Sequence, residues 1–225
     1  MKYELTKEKV IRNGFEVHRI RALKDFSDVK KGDLGGYVQN MHNLSHEGDS
    51  WIYDFASSFN SAYVCEDARI SNMARVFGNS RVFGNSQIYG WAQISDNARV
   101  FENAQVLDRA RITGLSKLWG KSKIIGDSQI MGSTCVFDNA EVSGTSKLDG
   151  NARLFCDVQV DASPVVISGL VYSVTITNTH AFVSCQGHTI EKWRSFTQEQ
   201  IYAMGGTKAI KFYPVLMRLI EDVGK

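Results

Sequence analysis

One six-residue unit repeats sixteen times without an insertion between Tyr63 and Val158. The copies run from YVCEDA through RVFGNS, QIYGWA and QISDNA to KLDGNA and RLFCDV. The second place is always Val, Ile or Leu, the sixth is Ala, Ser or Thr until Val158, and the fourth is mostly Gly, Asp, Asn or Glu. A single copy cannot bury its aliphatic residue alone, so the copies must stack on one another. In extended chain, neighbouring side chains alternate between faces, so an inward second place turns the first and third outward. The fourth place is the bend, where Gly, Asn and Asp tolerate unusual backbone angles. The sixth must be small because it packs inside a corner. Three such sides close one turn, which predicts a three-sided prism of 18 residues per coil. Successive coils then lie about 4.8 Å apart.

The flanks differ. Residues 1–50 carry Asn13-Gly14 between alternating apolar residues, a hairpin signal, and further glycine turns are expected at Gly32, Gly35 and Gly36. They read as a small β-rich N-terminal head that covers the open end of a parallel β-helix over 51–184. WIYDFA and SSFNSA extend the repeat upstream, although Ser58 stands where an aliphatic residue belongs. Beyond Val158 the pattern loosens into alternating β-structure. Residues 185–225 read as a helical C-terminal cap: Thr197 and Gln200 form a capping box, Gly205-Gly206 ends a short helix, and Thr207 starts a second one that Pro214 kinks.

Lys plus Arg number 26 against 24 acidic residues, and residues 63–164 hold 11 of each. General nucleic-acid binding normally needs a basic excess, so it is disfavoured. The four cysteines are widely spaced and suit free thiols in a reducing compartment. The charged start and the absence of a long apolar run point to no membrane and a cytoplasmic protein.

The residues carry a resemblance. The chain resembles the hexapeptide-repeat, left-handed parallel β-helix superfamily, and more closely the G-N-A/S-R-V repeat proteins of phages and prophages. Those share a head like HRIRALKDF…GDLGGYV and a tail like GHTIEKW. Left-handedness comes from this resemblance. It does not come from the spacing, because Gly78 follows the aliphatic Val76 by two places where the superfamily form has one. The resemblance also implies three parallel prisms around a threefold axis.

Residues 18 apart share a line on one face. One line of third places reads Cys65, Phe83, Phe101, Trp119, Phe137 and Phe155, beside first places that include Arg81 and Arg99. An exposed aromatic stripe predicts a homotrimer with these residues in its interface, the alternative being a surface ladder. At another corner Arg75, Trp91, Arg109 and Arg111 gather an indole with guanidinium groups able to hold a base and phosphate oxygens. The competing reading is a solvated corner in which Arg109 pairs with Asp108 or Asp127. Arg19 and Arg21 in the head are further candidate phosphate contacts.

Many members of the superfamily are acyltransferases with a histidine base. His18, His42, His46, His180 and His188 all lie outside Tyr63–Val158. No catalytic residue, cofactor or metal site is therefore assigned, and His180, Cys185 and His188 read as structural. The expected function is a non-catalytic binding protein. It would sequester a small anionic, nucleotide-like ligand such as an immune signal, or block a host defence protein. The alternatives are an acyltransferase-like enzyme and a structural trimeric scaffold.

Overall fold

The computed structural model describes residues 1–223. A hairpin of β1 (Tyr3–Arg12) and β2 (Phe15–Ala22) is followed by β3 (Leu34–Val38). Two-residue rungs, β4 (Trp51–Ile52) through β22 (Gln159–Val160), then form a parallel β-solenoid with three sheets. Each rung occupies the first and second places of a unit. Gln87 lies opposite Gln105 and Ile88 opposite Val106, and the same step recurs along every face.

The inward places behave as the repeat requires. Ile88, Ile94, Val100, Val106, Ile112 and Leu118 are wholly buried, and so are the small residues at the sixth place from Ala56 to Ala152, apart from Ser146 at 1%. Where the sixth residue is serine or threonine, its hydroxyl donates to the third-place carbonyl of its own unit, as Ser80 does to Phe77 at 2.7 Å and Thr134 to Met131 at 2.7 Å, the exception among the described residues being Ser122, whose buried hydroxyl has no partner. A small polar side chain is thereby buried with its hydrogen bond intact.

The fourth place takes left-handed backbone in every unit, with φ of 68° at Gly84, 57° at Asp96 and 62° at Cys156. At Gly84 a β-carbon would also lie 2.6 Å from the Glu102 nitrogen, so glycine answers two demands there. Asp54 and Asn60 share the left-handed conformation, so the repeat does begin upstream of Tyr63.

The bend leaves its own N–H outside the ladder between coils, which uses the first, third and fifth places. An acid one coil earlier accepts that N–H instead. Glu66 takes it from Gly84 at 2.8 Å, Asp96 from Gly114 at 2.9 Å, Glu102 from Gly120 at 2.9 Å, and Asp108 from Gly126 at 3.1 Å. The fourth-place acids are thus backbone caps, which a reading confined to bend propensity does not reveal.

The head continues one of the three sheets, since β3 pairs in parallel with the Ser57–Ser58 rung. Asn13-Gly14 turns the hairpin with both φ positive. Gly32 turns as expected, whereas Gly35 and Gly36 lie within β3 as buried strand residues. Ser58 is buried in place of an aliphatic residue and donates to the Asn43 carbonyl at 3.4 Å.

Lys2 is wholly buried in the head and donates to the Ser50 carbonyl at 2.8 Å, Gly48 O at 3.1 Å and Ser50 Oγ at 3.2 Å. Burial lowers its pKa from 10.5 to about 8, against a smaller opposing pull from Asp49. The unfolded chain keeps the ordinary value, so between pH 8 and 10.5 it binds more protons than the folded one. Stability should therefore rise across that window, on the order of 1–2 kcal/mol relative to Lys2→Met. Urea midpoints of both proteins at pH 7.5 and 10 check this, and parallel midpoints would contradict it.

Parallel pairing ends at β22. An antiparallel meander follows: β23 (Val165–Ile167), β24 (Val174–Ile176), β25 (His180–Val183) and β26 (Gln186–Thr189). The range 51–184 therefore holds two architectures, the change falling after the β22 rung and at the unit that ends in Pro164. The meander packs on α1 (Ile190–Ser195) and α2 (Gln198–Val223), with Trp193 Nε1 donating to Ala181 O at 2.7 Å. Thr197 and Gln200 form the capping box, and Gly205 and Gly206 leave helical angles. Within α2 the non-helical angles fall at these glycines and not at Pro214.

Candidate functional site

The third-place aromatics of one face stack flat. Ring centroids are 5.0 Å apart for Phe83–Phe101, 5.8 Å for Phe101–Trp119, 4.3 Å for Trp119–Phe137 and 4.9 Å for Phe137–Phe155, with planes within 14° of parallel. The last ring meets Phe182 of the cap edge-on at 4.9 Å. In-register pairing dictates this, because it sets ring upon ring at the coil spacing. Each ring covers its neighbour, so Phe83, Phe101, Trp119 and Phe137 are half-buried and Phe155 is buried within a single chain. The stripe is a ladder that presents ring edges outward.

Beside it, Arg81, Arg99 and Lys117 lie opposite one another on successive rungs, and all three are exposed. None makes an ion pair among the described residues. Like charges directly opposite across a parallel ladder repel. Nearby coil acids are occupied with the backbone hydrogen bonds described above. A groove of about 470 Å³ runs along this row, lined by Asn97, Arg99, Leu115, Lys117, Ser133 and Cys135. Sequence reasoning placed Arg81 and Arg99 here for their closeness to the rings. Reading first places in steps of three units puts Lys117 in the same row, but only the structure shows that none of the three has an ion-pair partner among the described residues.

The Arg75, Trp91, Arg109 and Arg111 corner is less assembled. Trp91 is 56% exposed, and Arg109 and Arg111 are exposed as well. Neither the Trp91 indole nor the Arg109 guanidinium makes a side-chain hydrogen bond, ion pair or cation–π contact among the described residues, and the pairing of Arg109 with Asp108 or Asp127 does not form. Arg75 is drawn away to the head, donating to Asn13 Oδ1 at 3.2 Å. In the head, Arg19 pairs with Glu8 at 3.0 Å and donates to Gly35 O at 3.1 Å, while Arg21 approaches Glu4 at 3.5 Å. Glu8 also accepts from the Tyr37 hydroxyl at 2.8 Å, and these bonds hold its carboxyl below the usual range. An anion reaching Arg19 would have to displace that carboxylate.

His180 and His188 sit among the rings of the cap, with His188 5.1 Å from Trp193 and 4.9 Å from Phe196. Burial pushes both imidazoles below their ordinary pKa. Among the described residues no three His, Cys, Asp or Glu side chains converge as a metal site would require, and no helix is long and apolar enough to cross a membrane.

No protein-family model matches the chain. It is similar to an uncharacterized acetyltransferase of Escherichia coli (strain K12), YdcK, 38% identical over 56 residues. That stretch spans 24% of this chain and 17% of the other protein's length. The likeness and the parallel solenoid together support reading the chain as a hexapeptide-repeat β-helix.

Proposed function

We propose that the chain is a non-catalytic binding scaffold: a left-handed prism of 18-residue coils, as the resemblance implies, that holds an anionic ligand on its outer cations. The observation that carries this reading is the row of Arg81, Arg99 and Lys117, exposed, in register and without an ion-pair partner among the described residues. A bound anion relieves their mutual repulsion and supplies the missing partner. The ligand is a small phosphate-bearing molecule of nucleotide kind, or an acidic surface on a host protein. The edges of the Phe83–Phe155 ladder form the contact between three prisms, which places the cation row at the mouth of each cleft.

Tripolyphosphate tests the anion site. It should raise the melting temperature of the natural chain at low salt, lose effect as salt rises, and have little effect on Arg99→Gln with Lys117→Gln. An equal shift in the double variant overturns the assignment. Sedimentation of Phe101→Glu with Trp119→Glu tests the assembly: a trimer should fall to monomers, and an unchanged mass removes the interface from the proposal.

A second reading, an acyltransferase, is favoured by the likeness to the E. coli protein. It requires saturable coenzyme A binding and loss of acyl transfer on replacing one of the head or cap histidines.

A further inference from the structure

A second face of the solenoid carries a ladder with one rung missing. Its third places read Tyr53, Ser71 and Tyr89 on successive coils, held in register by Tyr53 N donating to Ile70 O at 2.7 Å and Ser71 N to Ile88 O at 2.9 Å. Elsewhere on this protein an aromatic at each of three such places gives rings 4.3 to 5.8 Å apart. Here the middle side chain is a hydroxymethyl group. Two coil steps separate the tyrosines by about 9.6 Å, which leaves about 4.8 Å on either side of a ring inserted between them.

The gap opens as a groove of about 310 Å³. Its floor is Ser71, and Tyr53 and Tyr89 bound it along the coil axis. First-place Arg69 and Gln87 line one side, and fourth-place Asp54 and Asn72 line the other. One wall is fixed in advance. Asp28, reaching over from the head, accepts from the Tyr53 hydroxyl at 2.9 Å and pairs with Arg69 at 3.2 Å, while Arg69 also donates to Ser27 Oγ at 2.8 Å. Gln87, by contrast, has no side-chain hydrogen bond among the described residues and is exposed. Asp54 engages one carboxylate oxygen, Oδ2, with Asn72, and the other makes no hydrogen bond among the described residues. Asn72 Oδ1 is taken by the Gly90 N–H at 3.2 Å, so donors from Arg69 and Gln87 stand along one side and the Asp54 carboxylate supplies the acceptor on the other. Such an arrangement suits a flat ring whose edge carries both kinds of group.

We propose that the Tyr53–Ser71–Tyr89 gap binds one planar heteroaromatic ring of nucleobase kind, stacked in place of the missing rung. Gln87 and Arg69 serve its acceptor edge, and the Asp54 carboxylate its donor edge. The site lies on a different sheet from the Arg81–Arg99–Lys117 row and needs no charge on the ligand, so it stands or falls separately from that anion site.

Titration calorimetry with the four neutral ribonucleosides tests it, with methyl glucoside as a non-aromatic polyol of similar polarity. At least one nucleoside should bind saturably below about 5 mM. Ser71→Phe should supply the missing rung, abolishing binding while leaving the melting temperature equal or higher. Tyr89→Ala, which leaves the head contacts of Tyr53 untouched, should weaken binding about tenfold or more. Should Ser71→Phe fail to fold, Tyr89→Ala and Gln87→Ala carry the test. No saturable nucleoside binding, retained affinity in Ser71→Phe or in Tyr89→Ala, or equal binding of methyl glucoside would each overturn the proposal.

Discussion

Gly36→Ala should destabilise the chain by about 3 kcal/mol or more, among the largest effects expected of so small a change. Gly36 sits in β3, where the head joins the solenoid through pairing of Tyr37 with Ser57 and Val38 with Ser58. A β-carbon there would lie 2.5 Å from Ala56 O, 2.6 Å from Ile52 Cγ2 and 3.0 Å from Tyr53 O. Two of those three atoms belong to the first coil's backbone, which is tied to the next coil by Tyr53 N to Ile70 O and Ser57 N to Ala74 O. The coil cannot retreat without breaking its ladder. The strand must therefore lift, exposing Tyr3, Ile20 and Trp51 beneath it. Equilibrium urea unfolding measures the loss. Hydrogen exchange should show it concentrated at β3 and the first coil, and a midpoint within error of the natural chain would refute the steric account.

That glycine marks where sequence reading stops. The solenoid was legible because its requirements are local and repeated: an inward aliphatic, a bend that takes positive φ, a small corner residue. Asn13-Gly14, the Thr197–Gln200 box and the break at Gly205-Gly206 were legible for the same reason, each being a demand of a few adjacent residues. Gly35 and Gly36 look like turn glycines in isolation. Their reason is the closeness of a coil some twenty residues further on, which no local pattern encodes. The antiparallel meander at 165–189 was likewise hidden, because alternating residues suit either direction of pairing.

The candidate sites divide in the same way. Reading every third unit lines up the aromatics and the cations correctly, since register follows from the repeat. It does not say how much of each ring its neighbours cover, so the ladder looked more exposed than it is. Arg21 opposite Glu4 follows from the hairpin register, whereas the Arg19–Glu8 pair depends on the irregularity between Leu5 and Lys9. The missing rung at Ser71 was visible as a letter. Its meaning as a gap required the fully occupied ladder on the other face for comparison.

Trp119→Ala should cost about 2–4 kcal/mol, somewhat below a fully buried tryptophan because the ring edges are wet. Trp119 is the middle of the five-ring ladder, and its removal strips a face from both Phe101 and Phe137. Trp119→Phe keeps a flat ring on the same rung and should cost under about 1.5 kcal/mol. A double-mutant cycle with Phe137→Ala should give a coupling of about 0.5–1.5 kcal/mol, since that pair is the tightest at 4.3 Å. Protein concentration separates the two roles the ladder can have. If the rings stabilise mainly by stacking within one chain, the loss in Trp119→Ala is the same at every concentration. If their edges also join prisms, the natural chain's melting temperature rises with concentration and the variant's does not. A loss under about 1 kcal/mol at all concentrations would mean that neither stacking nor assembly depends on this rung, and both the ladder's stabilising role and the trimer contact would fall together.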